Sequence, residues 1–292
     1  MVAPQLYYRL TVTVLLLFAC HQRAAAQTTL YLDQPGETAE APDVRLRDDH
    51  NGRMYRVGRP YLTVFKPPEG VPLRGAAVIC PGGGYGYLSM DKEGEEVARW
   101  LSRNGFVGMA LGYRLPHEGQ IETGIPLPQR DGLAGLRRAR HLMDSLGIAP
   151  DKLLVVGFSA GGHLASSLVQ LAEDTLQPNA SILVYPVISM RDGIGHRGSR
   201  EKLLGQTPTE EILARYSTDE RIAAGYPPTL LVHATDDRTV PVENSLRYYE
   251  GLRAHGVPAA LYVTERGGHG FGMRGDLGWT EAALAWLERQ GF

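Results

Sequence analysis

A chain of 292 residues with 43% hydrophobic content holds enough apolar material for one large domain or two small ones. Its formal net charge of -2, with no long run of lysine or arginine, excludes a dedicated surface for nucleic acid or anionic lipid. The 35 glycines fall in short clusters without a repeat, so they mark tight backbone turns and not a fibrous or low-complexity protein.

The first residues carry Arg9, an apolar run over 10–19 and then Ala24, Ala25 and Ala26, which reads as a signal peptide over residues 1–26. That run falls short of the ~20 apolar residues that span a bilayer, so no transmembrane segment is expected in the mature chain. A secreted or periplasmic protein is the expectation. Leu17, Phe18, Ala19 and Cys20 loosely resemble a lipobox, and lipoprotein anchoring through Cys20 is the alternative. Removing the signal leaves Cys80 alone, at the end of an apolar run, where it reads as a buried strand-borne thiol. Residues 27–58, polar and rich in Pro, Gly and Asp, are expected to form an N-terminal arm that wraps the core of a catalytic domain over 59–292.

From Tyr61 onward, short β-branched or apolar runs alternate with segments of helical period, the pattern of βαβ units and a mostly parallel sheet. The predicted strands cover 61–65, 76–80, 107–111, 153–156, 181–184, 229–233 and 259–263. After the second comes Pro81-Gly82-Gly83-Gly84-Tyr85, where glycine permits unusual dihedrals and close approach of backbone amides to a substrate. No Gly-Lys-Ser/Thr follows, and the dinucleotide glycine spacing is absent, so a phosphate cradle is disfavoured. Glu93, Glu95 and Glu96 read as solvent-facing charge on a helix. A longer helix carries Leu133, Leu136, Ala139, Leu142 or Met143, and Leu146 on one face and stops at Gly147.

The strongest signal is the apolar run from Leu153 into Gly157-Phe158-Ser159-Ala160-Gly161, followed by a helical segment. A strand, a Gly-x-Ser-x-Gly turn and a helix make a nucleophile elbow: the turn requires small neighbours, and the helix aims its positive end at a developing oxyanion. A serine hydroxyl needs a base, and a base needs an orienting acid. Both follow in the order Ser, Asp, His: Asp236 and Asp237 leave the strand at 229–233, and His269 sits among glycines after the strand at 259–263. Each falls past the carboxyl end of a strand, where α/β sheets place their sites. By analogy with lipase-type loops, the amides of Gly83 and Gly84, with that of Ala160, are assigned to the oxyanion hole. His163 and His233 read as structural or exposed. His233, Asp236 and Asp237 offer metal-ligand types but no zinc spacing, so no metal and no cofactor are expected. Residues 187–227, with weak helical patches among Gly, Pro, Ser and Thr, are expected to form a lid or pocket-wall insert.

PGGGY at 81–85, YRLP at 113–116, GFSAGGHLA at 157–165, DDRTVP at 236–241 and GGHGFG at 267–272 together resemble the esterase and lipase branch of the α/β-hydrolases. The likeness is greatest to small acetyl-xylan esterase-like proteins often labelled xylanase or lipase-like, and it runs from Tyr61 to Phe292. It implies the α/β-hydrolase fold, a mostly parallel central sheet flanked by helices on both faces. It also implies a triad of Ser159, Asp237 and His269, since in that group the acid precedes two residues and then Val-Pro, which selects Asp237. Relatives often begin the oxyanion loop with His-Gly-Gly-Gly; Pro81 stands here instead, which favours acetylated carbohydrate over lipid. The substrate expected from this resemblance is a small-molecule, oligosaccharide or polysaccharide ester. A broad short-chain carboxylesterase, a serine peptidase-like hydrolase and a non-catalytic carbohydrate-binding homologue are the alternatives.

Overall fold

The computed structural model describes residues 27–32, 45–48, 50–116 and 124–292. The expected signal peptide, with Cys20, lies outside the described residues, as does the middle of the arm. An eight-stranded sheet organises the rest, in the order β1-β4-β6-β5-β7-β8-β9-β10. Here β1 is Gln27–Tyr31, β4 Tyr61–Phe65, β5 Gly75–Cys80, β6 Phe106–Gly112, β7 Leu153–Phe158, β8 Ala180–Val184, β9 Thr229–Ala234 and β10 Ala259–Thr264. The strands from β6 to β10 run parallel, while β4 pairs antiparallel with β6, and β1 antiparallel with β4. This is the α/β-hydrolase arrangement. Buried on both faces, the central strands are near-continuous apolar runs, which is why each was legible without alternation.

Seven helices are described: α1 Glu96–Arg103, α2 Leu127–Ser145, α3 Ala160–Leu171, α4 Arg197–Leu204, α5 Glu210–Tyr216, α6 Glu243–Ala254 and α7 Trp279–Arg289. Strand alternation shows how they are layered. A Cβ on Gly108 of β6 would meet the Ala98 backbone of α1, whereas Leu111, three residues on, contacts Gly135 of α2. An odd spacing points to opposite faces, so α1 and α2 cover opposite sides of the sheet. Gly132 of α2 packs on Leu168 of α3, which sets these two helices side by side. On the α1 side, the Trp279 ring of α7 lies 5.6 Å from that of Trp100. Leu136, Ala139 and Met143 form the fully buried part of the apolar face predicted for α2, and Gly147 ends the helix at φ +67°. Cys80 is buried and free, and burial pushes its thiol pKa up.

Two regions differ from expectation. The 27–58 arm contributes a strand to the main sheet through β1, and it folds into a separate hairpin of β2 (Arg45–Asp48) and β3 (Arg53–Val57). Its polar sequence hides the strands because the hairpin has one exposed side: Met54 and Val57 turn inward while Arg53, Tyr55 and Arg56 face out. Backbone pairing of Met54 with Leu88, and ion pairs from Arg47 to Asp91 and Glu95, clasp the hairpin to the loop after β5. The second correction concerns Glu93 and Glu95, which are buried and not solvent-facing. They sit in a single wide turn, Asp91–Glu95, of the π type that often marks functional sites.

Residues 187–227 form α4, α5 and a 3-10 turn, Thr218–Arg221. They rest on α3: His163 Nε2 donates to the Tyr216 carbonyl at 2.7 Å, and Ser166 Oγ lies 3.0 Å from Thr218 Oγ1. No described helix is long and apolar enough to cross a membrane.

Candidate active site

The carboxyl ends of β5, β7, β9 and β10 carry four of the five sequence motifs to one edge of the sheet. Ser159 follows β7 with φ +51° and ψ −120°, a conformation that an L-residue holds only when its surroundings enforce it. The enforcement is steric. A Cβ on Gly157 would lie 2.4 Å from the Gly161 carbonyl oxygen, and one on Gly161 would lie 2.1 Å from that of Cys80. The Ser159 carbonyl accepts from the amides of Gly162 (2.9 Å) and Val187 (3.0 Å), which ties the turn to α3 and to the segment after β8.

His269, in the loop after β10, bridges Ser159 and Asp237. Its Nδ1 is 2.7 Å from Asp237 Oδ2, and its Nε2 is 2.9 Å from Ser159 Oγ. A carboxylate only accepts, so Nδ1 carries the proton and the bare Nε2 accepts from the serine hydroxyl. That is the tautomer a general base requires. The other Asp237 oxygen, Oδ1, accepts from the amides of Thr239 and Val240, both at 2.9 Å. Burial would raise the Asp237 pKa, but hydrogen bonding from His233 and His269 and from the Val240 amide outweighs it and holds the carboxyl well below the usual range.

Asp236, by contrast, is exposed, and its Oδ1 accepts from Gly268 N at 2.7 Å, so it braces the loop that carries His269. His233 is buried: Nε2 donates to the Val240 carbonyl at 3.0 Å and lies 3.4 Å from Asp237 Oδ2, while Nδ1 accepts from Ser245. His163 is buried as well, between the Tyr85 hydroxyl and the Tyr216 carbonyl, and burial lowers its pKa to about 4, so it is neutral. Neither of these two histidines reaches Ser159.

Gly83 and Gly84 adopt φ of +127° and +63° and line the same cavity as Ser159 and His269. Among the described residues their amides, and that of Ala160 at the first position of α3, donate to no protein acceptor. Such free donors at a helix start and a glycine loop can receive an anion. Tyr113 donates to the Pro81 carbonyl at 2.8 Å, and Arg114 grips the buried Asp131 at 2.6 Å, which braces the root of the loop.

The cavity measures about 680 Å³. The sequence reading missed most of its wall. The hairpin supplies His50, Asn51 and Arg53, the turn after β5 supplies Tyr87 and Lys92, and His196 and Arg274 come from two further loops. The Arg53 guanidinium stacks 4.5 Å from the Tyr87 ring centre. Apart from Tyr87 the wall is glycine and polar or charged side chains, a composition suited to hydroxylated ligands. From residues 187–227 only His196 is among the lining residues.

Comparison with known proteins agrees with this architecture. The model of a family described as alpha/beta hydrolase fold matches residues 78–273. The chain is 34% identical over 248 residues to an acetylxylan esterase of Xylanibacter ruminicola, covering 84% of this chain and 48% of that protein. It is 32% identical over 217 residues to the endo-1,4-beta-xylanase B of Butyrivibrio fibrisolvens, covering 70% of this chain and 33% of that one. The chain thus spans about half or less of the length of these curated relatives. Among solved structures, an acetyl ester-xyloside bifunctional hydrolase from Caldicellulosiruptor lactoaceticus superposes with a TM-score of 0.75 at 31% identity, covering 91% of this chain and 97% of that one.

Proposed function

The chain belongs to the α/β-hydrolase family, and on that premise we propose that it is an exported serine esterase that removes acetyl groups from xylan or a related carbohydrate. The observation that carries this reading is the hydrogen-bonded series from Ser159 through His269 to Asp237, opening into a polar cavity of about 680 Å³.

Ser159 Oγ attacks the ester carbonyl carbon while His269 Nε2 takes its proton. Asp237 stabilises the imidazolium, and the amides of Gly83, Gly84 and Ala160 receive the oxyanion of the tetrahedral intermediate. Collapse breaks the bond to the sugar oxygen, which leaves with the proton from His269, and the acetyl group stays on Ser159. Water, deprotonated by the same Nε2, then releases acetate and restores the serine. No step needs a metal or a cofactor.

Two further considerations favour acetylated carbohydrate. Relatives of this chain are named for acetylxylan and xyloside substrates, and a wall that apart from Tyr87 is glycine and polar side chains gives a long acyl chain little apolar surface on which to lie. Export, through a signal peptide over 1–26, suits a polymeric substrate that does not enter cells.

The test is a panel of acetylated xylan, acetylated xylo-oligosaccharides and 4-nitrophenyl esters of rising chain length, with Ser159→Ala as control. Acetyl esters are expected to turn over fastest, and the variant to lose at least about 10³-fold in kcat. A preference for long acyl chains overturns the substrate, and full activity of the variant overturns the mechanism.

A further inference from the structure

Glu93 is a buried carboxylate whose two oxygens serve two different loops. Its Oε2 accepts from the Gly82 amide at 2.9 Å, one residue before Gly83 and Gly84. Its Oε1 accepts from the Tyr185 hydroxyl at 3.0 Å, and that hydroxyl in turn accepts from the Gly272 amide at 2.8 Å, three residues beyond His269. The Gly82 carbonyl is also held, by Ser89 N at 2.9 Å, so the peptide groups at the root of the glycine loop have no freedom to rotate. Tyr185 is placed with unusual care. Its ring centre lies 4.9 Å from that of His269, and its backbone takes φ +37°, a value costly for a bulky residue. Proton transfer along Ser159, His269 and Asp237 uses neither side chain.

Resting on the reading of Ser159 as an esterase nucleophile, we propose that Glu93 and Tyr185 are positioning residues, a carboxylate and phenol link that fixes the glycine loop and the His269 loop at one separation. The two glycine-loop donors, Gly83 and Gly84, and the general base follow different strands, β5 and β10, which are not neighbours in the sheet. Only contacts across the strand ends can set their distance. The link supplies such a contact beneath the reacting atoms, and catalysis is sensitive to displacements of about 1 Å in such groups. Two donors face the carboxylate, so glutamine can replace it only in part: the amide oxygen accepts from Gly82, the amide nitrogen donates to Tyr185, and the phenol proton loses its acceptor.

The experiment measures kcat and KM on 4-nitrophenyl acetate for Tyr185→Phe, Glu93→Gln, Glu93→Ala and the Glu93→Ala/Tyr185→Phe pair, with circular dichroism and melting to confirm folding. The expected losses in kcat are about 10-fold for Tyr185→Phe and about 100-fold for Glu93→Ala, with Glu93→Gln between them. KM stays within about two-fold, because Tyr185 does not line the cavity and Glu93, which does, is almost wholly buried. The double variant is expected to be no worse than Glu93→Ala, since both changes cut one link. Wild-type kcat in folded Tyr185→Phe and Glu93→Gln overturns the proposal, even if Glu93→Ala fails to fold. So does a double variant whose loss is the product of the two single ones. Inactive Ser159→Ala beside wild-type Tyr185→Phe removes the positioning role alone, whereas active Ser159→Ala removes the esterase reading itself.

Discussion

Around Ser159 the backbone leaves no room for side chains, whereas at the mouth of the same cavity side chains are nearly all there is. At the inner end, atoms added to Gly157, Gly161 or Gly82 would fall within 3 Å of neighbouring backbone or of Ser159 itself. At the mouth, Arg53 and Arg274 are exposed, Tyr87 and Lys92 are half-buried, and the hairpin that supplies part of the wall is clasped by a few contacts. The contrast separates two jobs. On the proposed function, the reacting geometry is set by steric necessity at the strand ends, while recognition of the alcohol is left to replaceable groups.

The inner end should therefore be brittle. Gly161→Ala, which would drive a methyl group into the Cys80 and Pro81 carbonyl oxygens, is expected to yield no stable protein or one that has lost activity on 4-nitrophenyl acetate by at least about 10³-fold. A folded, active Gly161→Ala would break the distinction at once.

Asp237→Asn comes next. It keeps the shape but offers His269 the wrong partner, so kcat should fall about 10²- to 10⁴-fold with KM little changed. The same substitution reports on stability. The carboxyl pKa is depressed in the folded state, so Asp237 stabilises the fold above its unfolded pKa of about 3.9 and loses that contribution as pH falls through the folded value. The melting-temperature gap between wild type and Asp237→Asn should thus be wider at pH 6 than at pH 3. A gap independent of pH would contradict the depressed carboxyl.

Arg114→Ala tests the support of the inner end at one remove. Stripping the buried Asp131 of its forked partner should cost about 3 kcal/mol in denaturant unfolding, and an effect near zero would show that the brace is dispensable. The smallest effect belongs to the mouth. Tyr87→Ala is expected to raise KM for acetylated xylo-oligosaccharides about 5-fold, with a much smaller change on 4-nitrophenyl acetate. Equal effects on both substrates would erase the difference between the two regions.

The same division explains what the sequence could and could not say. The parallel strands were legible because burial on both faces writes them as apolar runs, and Ser159 and His269 because each sits in a short glycine-flanked turn at a strand end. The antiparallel edge strand β1 and the hairpin were not, since their polar faces mimic an irregular arm. Glu93 was misread for a related reason: three glutamates within four residues look like solvated charge, and only the packing of Tyr185 and Gly82 shows why Glu93 is buried. The choice between Asp236 and Asp237 needed a motif from relatives, because adjacent carboxylates in one loop differ in role only through which way each points. Most of the cavity wall was invisible because it is assembled from six distant segments, and no local pattern records their meeting.

The proposed role of Ser159, the nucleophile that takes up the acyl group, is tested most directly by an alkyl fluorophosphonate. After reaction with the protein and digestion, mass spectrometry should find a single phosphonyl group, on Ser159, with esterase activity lost in proportion to labelling. An adduct on another residue, or undiminished acetate release from protein fully modified at Ser159, would contradict the account.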